Sequence, residues 1–378
     1  MSTLEARQAP PEQPKQTQPP DQPVQPDQPE QDAREAFAGE VLDVLNKSAL
    51  GLLTSVGHQC GLFDTMAALP PSTAADIAGA ADLDERYVRE WLGGMTVGGF
   101  VTYDPQAGTY ALPPAHAASL TTAAGPDNLA GMMPYIALMG EVEQQVVRCF
   151  REGGGVPYSA YPRFQALQSE ETARVYDQAL VDVIVPLVPG LTERLREGID
   201  VLDVGTGQGH APLVLAKAFP ASRFHGLDRS ETGIAAAHAE AARAGLKNLH
   251  YVVADSTEIS GAYDLVTAFD VVHDLARPAE TLTAIARALR DGGTFLMGDI
   301  AASSRLERNI GHPFGPALYG FSVFYCMTTS LSTGGAGLGT AWGQETAVRM
   351  LRDAGFATVD VKSVEGDPIN AYYVAAKG

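Results

Sequence analysis

Hydrophobic positions follow different rhythms in different parts of this chain. Between residues 200 and 300 short apolar runs alternate with amphipathic stretches. IDVLDV, RFHGLD, LHYVVAD and YDLVTAFD are short and rich in β-branched or aromatic residues, and each closes on a polar or glycine turn, so they read as strands. APLVLAKAF, SETGIAAAHAEAARAG and PAETLTAIARALR lie between and after them with helical spacing, and GGTFLMGDI, QETAVRMLRDAGF, TVDVKSV and NAYYVAAKG continue the alternation. The pattern predicts an α/β fold over residues 191–378: a Rossmann-like, doubly wound sheet with helices on both faces.

Upstream the rhythm is helical. Residues 34–122 read as short amphipathic helices, followed by FVTYDPQAGTYAL, two short strands around a turn. That order predicts a mainly helical winged-helix domain. Residues 123–190 read as a helical linker in which Met132, Met133, Tyr135, Tyr158, Tyr161 and Phe164 are scattered, and its place between two domains makes Tyr161 and Phe164 candidates for lining a substrate cavity. Residues 1–33, a Pro, Gln and Asp tract, have too little apolar surface to offset chain entropy and are expected to be disordered.

Composition narrows the choices. The chain has 378 residues, room for two cores, and no uninterrupted apolar run long enough for a membrane span. Its start lacks a secretory pattern, which leads to the expectation of a cytoplasmic protein without membrane partners. Cys60, Cys149 and Cys326 are far apart and odd in number, so neither disulfides nor a metal site are expected. A formal charge of −19 disfavours a nucleic-acid partner. The winged helix sharpens that point, because between Ala36 and Leu120 nine acidic residues face three basic ones and the would-be recognition helix begins Asp82, Leu83, Asp84, Glu85.

The first strand of the C-terminal half ends in DVGTGQG, Asp203 to Gly209. A dinucleotide fingerprint needs a small residue where His210 stands, whereas the segment fits the acidic-x-Gly-x-Gly-x-Gly pattern of methyl-donor sites. Asp228 ends the second strand, placed for ribose hydroxyls, and Asp255 with Ser256 follows the third, suited to an adenine edge. On these motifs the chain resembles the class I S-adenosylmethionine-dependent methyltransferases, and with its winged helix it is similar to the small-molecule O-methyltransferases of plants and actinobacteria. The resemblance implies that Asp203, Gly205 and Gly207 belong to the donor site, with Gly205 and Gly207 on the methionine part. It also implies Asp228 on the ribose, Asp255 and Ser256 on the adenine, Phe269 near the donor, and a homodimer.

VVHDL after the fourth strand resembles the V-x-His-Asp-Trp stretch of those enzymes, which implies that His273 is the general base and that Asp299, ending the fifth strand, helps to hold it. Leu275 departs from the pattern, standing where relatives carry Trp. Residues 301–343 form a long aromatic excursion, from which His312, Tyr319 and Tyr325, beside Phe321 and Phe324, are candidates to line the acceptor pocket, and GGAGLG is a candidate lid hinge. The function expected is methyl transfer to a small, natural-product-type aromatic acceptor of secondary metabolism, on a phenol oxygen or an indole-type carbon. Two readings stand beside it: a regulator that binds the donor without catalysis, and an NAD(P)-dependent oxidoreductase.

Overall fold

Helix α1 runs from Gln28 to Gln59 in the computed structural model, which describes residues 28–377. Most of the tract expected to be disordered, residues 1–27, lies outside the described residues. Residues 28–33 are helical instead, because their polar side chains pair one turn apart: Gln28 with Asp32 and Gln31 with Glu35, both at 2.7 Å, and Glu30 with Arg34 at 2.5 Å. Up to Ala49 the described chain is a body of its own, with Phe37, Leu42 and Leu45 exposed.

From Leu50 onward a second unit begins. Helices α2 (Leu62–Ala68), α3 (Ala74–Ala81) and α4 (Glu85–Val97) bury Phe63, Ile77, Trp91, Leu92 and Met95 in one cluster, and the Trp91 indole donates to the Leu53 carbonyl at 2.8 Å. Strands β1 (Thr102–Asp104) and β2 (Thr109–Ala111) pair antiparallel as the wing, and α5 (Pro114–Leu120) follows. The acids at the start of α4 have local work. Asp84 accepts from the backbone N–H of Arg86 and Tyr87, an N-cap that also places negative charge where a phosphate would dock. The protein is therefore expected to give no sequence-specific gel shift at about 150 mM salt, and a saturable shift there would overturn that expectation.

Helices α6 (Pro134–Glu152), α7 (Phe164–Ala179) and α8 (Leu191–Glu197) lead into the sheet. The segments β3 (Asp200–Val204), α9 (His210–Ala218), β4 (Arg223–Asp228), α10 (Glu231–Arg243), β5 (Leu249–Val253) and β6 (Tyr263–Phe269) alternate as expected. They are followed by α11 (Pro278–Ala288) and β7 (Leu289–Ile300). The excursion is helical, with α12 (Leu306–Asn309), α13 (Gly315–Phe321), a π turn at Ser322–Cys326 and α14 (Met327–Ser332). Helix α15 (Gln344–Asp353), β8 (Phe356–Lys362) and β9 (Asn370–Lys377) close the chain.

Seven strands lie in the order β5-β4-β3-β6-β7-β9-β8. The first five are parallel, whereas β9 inserts antiparallel between β7 and β8, a return that strand periodicity alone does not reveal. Alternation along each strand feeds two cores: Val266, Phe295 and Met297 pack with α11 and α15, and Leu265 and Leu296 pack with α8, α9 and α10. Strand order reverses beside β3, so a crevice opens at the carboxyl ends of β3 and β6.

Candidate active site

That crevice is a cavity of about 390 Å³. Its floor is the turn after β3. Gly205 and Gly207 have φ of 71° and 55°, a conformation that favours glycine, and a Cβ on Gly205 would also lie 2.5 Å from Val271 Cγ1. Beneath it Asp203 accepts from the Thr267 hydroxyl at 2.6 Å, and burial pushes its carboxyl up to about 6. Asp228 accepts from Gly207 N–H at 2.9 Å and Ser230 N–H at 2.8 Å, fixing the glycine turn while leaving carboxylate lone pairs toward the cavity.

Asp255, Ser256 and Phe269 also line the cavity. Asp255 caps the turn that follows it through Thr257 and pairs with Arg277 at 3.0 Å, while Ser256 shares a 2.8 Å hydrogen bond with Thr281. The seven residues expected at the donor site thus come together around one space.

The roof comes from α7, part of the linker, in which the sequence marks Phe164 as a pocket candidate but not Gln165, Gln168 or Tyr176. Phe164, Gln165, Gln168, Ser169 and Tyr176 face the cavity. Gln165 donates to Ser230 Oγ at 2.7 Å, Gln168 to Asp270 Oδ2 at 2.9 Å, and Asp177 meets His210 Nε2 at 2.8 Å. His210, the residue that breaks the dinucleotide fingerprint, is thus part of the closure over the turn.

At the far end His273 is buried, with Nδ1 2.9 Å from Asp299 Oδ1. The same oxygen accepts from Ile300 N–H at 2.8 Å and the Trp342 indole at 3.1 Å, so the carboxylate is held from three sides. Burial works against a charged imidazole, yet Asp299 and the Cys326 thiol carry His273 well above its ordinary range. Nδ1 is engaged by Asp299, and the Cys326 thiol also hydrogen-bonds to the imidazole. Asp270, His273 and Asp299 bring donor atoms within 4.8 Å of one another, but Nδ1 and Oδ1 are already committed to each other, which favours holding a proton over holding a metal ion.

Asp270 adopts φ of 57°, a left-handed conformation that Asp tolerates better than most residues. Asp274 accepts from the Tyr158 hydroxyl at 3.3 Å, and its carboxyl is pushed up to about 7, mainly by burial. Tyr325 and Phe164, two of the expected pocket residues, line the cavity, stacked with centroids 3.4 Å apart. Three other expected pocket residues do not line it. Tyr161 sits behind Tyr325, its hydroxyl donating to the Phe324 carbonyl at 2.5 Å. His312 Nδ1 accepts from Phe314 N–H at 3.1 Å, closing a turn, and the Tyr319 hydroxyl accepts from Asn309 at 3.1 Å.

GGAGLG is not a free hinge. Gly339 N–H donates to the His273 carbonyl at 3.1 Å and Ala336 N–H to Ala276 at 2.9 Å, and a Cβ on Gly335 would stand 2.5 Å from Ala276 Cα. The segment clamps the loop that carries the histidine.

Residues 48–122 match the model of an Rv2258c-like winged helix-turn-helix domain, and residues 195–329 match a methyltransferase domain. A tRNA (guanine-N(7)-)-methyltransferase of Rhodopseudomonas palustris is 28% identical over 148 residues, 35% of this chain and 59% of that one. The chain spans about half the length of the curated relatives it matches.

Among solved structures, an O-methyltransferase family protein from Burkholderia thailandensis superposes with a TM-score of 0.66 at 15% identity, covering 90% of this chain and 98% of that one. Human N-acetylserotonin methyltransferase, solved in complex with S-adenosylmethionine, also gives 0.66, at 17% identity with coverage of 90% and 98%. Fold, glycine turn and matched domains define the class: the chain carries a winged helix-turn-helix domain followed by an S-adenosylmethionine-dependent methyltransferase domain. Among the described residues no single helix is long and apolar enough to cross a membrane.

Proposed function

We propose that the protein transfers a methyl group from S-adenosylmethionine to a small aromatic acceptor, at a phenolic oxygen or an electron-rich ring carbon, with His273 as general base. The observation that carries this reading is the buried His273–Asp299 pair at the end of the cavity that Gly205, Gly207 and Asp228 open. In the oxygen case the acceptor O–H gives its proton to His273, the O–C bond forms as the C–S bond breaks, and the electron pair leaves on sulfur. Asp299 fixes the ring and balances the imidazolium that forms. Most of the acceleration comes from holding nucleophile and methyl in line at roughly 3 to 3.5 Å, which the roof of α7 and the aromatic end wall assist by excluding water.

Phe164, Tyr176, Phe269 and Tyr325 supply flat apolar surface for a ring, which supports an aromatic acceptor. The test is incubation with methyl-labelled S-adenosylmethionine and a panel of phenols and indoles, with label counted in the acceptor and S-adenosylhomocysteine in solution. Label in an acceptor with equimolar demethylated donor is expected. Donor binding without transfer to any member would favour a ligand-sensing regulator, and NADH binding without response to the methyl donor would overturn the donor assignment.

A further inference from the structure

Two further acids, Asp270 and Asp274, line the cavity beside the His273–Asp299 pair. Asp270, Asp274 and Asp299 surround the single imidazole of His273, and the charge on each raises or lowers the others' proton affinity across this small space. Asp270 Oδ1 and Asp299 Oδ2 are buried without a hydrogen-bond partner. The protonated imidazole balances Asp299, and the remainder, Asp270 and Asp274, have carboxyls that burial pushes toward the neutral form, which a cation placed beside them would reverse.

The protein's own cations do not fill the remainder. Of the two arginines lining the cavity, Arg277 is committed to Asp255 and Glu280, and Arg229 lies exposed at the rim, 5.3 Å from the centroid of the Tyr158 ring. The wall beside Asp274 is aromatic. The rings of Tyr158 and Tyr325 meet edge to face at 5.9 Å, and Phe164 stacks on Tyr325. Asp274 lines the cavity with these rings and accepts from the Tyr158 hydroxyl, and a carboxyl beside aromatic side chains is the chemistry that recognises an organic ammonium, chiefly through a charge-assisted hydrogen bond.

We propose that the acceptor carries a protonated amine, bound against Asp274 on the cavity side of Tyr158 and Tyr325 as a handle distinct from the atom that is methylated. This deepens the methyltransferase reading and rests on it. An ammonium has no lone pair with which to attack a sulfonium, so the nucleophile is a second group on the same molecule, presented to His273. Residues 273 and 274 are neighbours on one loop, so handle and nucleophile are read together and the acceptor is compact. An anionic group in the same place would face Asp270 and Asp274 and lose affinity.

The experiment measures binding by calorimetry to the full chain saturated with S-adenosylhomocysteine, about one pH unit above the Asp274 value of about 7. The probes are tyramine, its neutral counterpart p-ethylphenol and the anion p-hydroxyphenylacetate. Tyramine is expected to bind about tenfold more tightly than p-ethylphenol, with the anion weakest, and Asp274→Asn is expected to remove the tyramine advantage. The variant's retained affinity for S-adenosylhomocysteine reports that it is folded.

Wild-type protein that binds the neutral or anionic probe as well as tyramine, or binds none of the three, overturns the amine handle whatever the variant does. A tyramine preference that survives Asp274→Asn removes the residue from the role. Failure to bind S-adenosylhomocysteine at all would instead strike the methyltransferase reading on which the proposal stands.

Discussion

His273→Ala is expected to lower turnover roughly 10²- to 10⁴-fold while leaving S-adenosylmethionine affinity nearly unchanged, the loss typical of removing a positioned general base. The residue follows β6, across β3 from the β4 and β5 ends that carry Asp228 and Asp255, and its ring is fixed by Asp299 at 2.9 Å. The pH dependence carries the sign. A base must be neutral to act, and this imidazole is held above its ordinary range, so activity rises as pH increases through a point above that of a free histidine.

Donor binding brings a sulfonium nearby, which favours the neutral ring, so the acid limb of kcat should lie at lower pH than that of kcat/KM. Asp299→Asn removes the largest influence holding the proton on, and should move the limb further toward acid even as turnover falls. In His273→Ala the limb should vanish. A variant that turns over a verified acceptor at the wild-type rate from about pH 6 to 9 would show that the proton leaves by another route.

Asp228→Ala should weaken binding of both S-adenosylmethionine and S-adenosylhomocysteine by about ten- to a hundredfold, since a hydrogen bond to a charged group is worth about 1.5 to 3 kcal/mol. The side chain has two tasks. Its oxygens accept from Gly207 and Ser230 N–H, fixing the glycine turn and the start of α10, and their remaining lone pairs are free for ribose hydroxyls. Alanine removes both contributions, whereas Asp228→Asn keeps one oxygen and should fall between. Calorimetry with each ligand measures the change, and wild-type affinity in Asp228→Ala would remove the residue from the ribose site.

The donor half of the cavity was legible because its signals are local. A strand that ends in DVGTGQG, followed by strands ending in Asp228 and Asp255, places chemistry at strand ends, and parallel strands bring those ends to one rim. The acceptor half depends on chain segments far apart in sequence. Tyr158 meets Asp274 across 116 positions, and Gln168 meets Asp270 across 102, which no periodicity encodes.

Aromatic content marked the excursion as a pocket element without telling which rings face inward. The π turn at Ser322–Cys326 widens the helix, so Tyr319, before it, does not share the facing of Tyr325 and Cys326. The reach of the tail was overestimated for a related reason: polar residues 28–33 bury nothing, but their one-turn pairings continue a helix that begins in apolar sequence further on.

The clamp of Gly335 on Ala276 divides the site into a part that is fixed and a part that is replaceable. With no side chain tolerated between them, the loop that carries His273 inherits its position from a backbone contact some sixty residues downstream, like a workpiece gripped in a jig. The wall formed by Phe164 and Tyr325 is held by ring stacking and has no such grip on the loop's backbone. Such an arrangement lets the side-chain wall vary while the His273 loop keeps its place against the glycine turn.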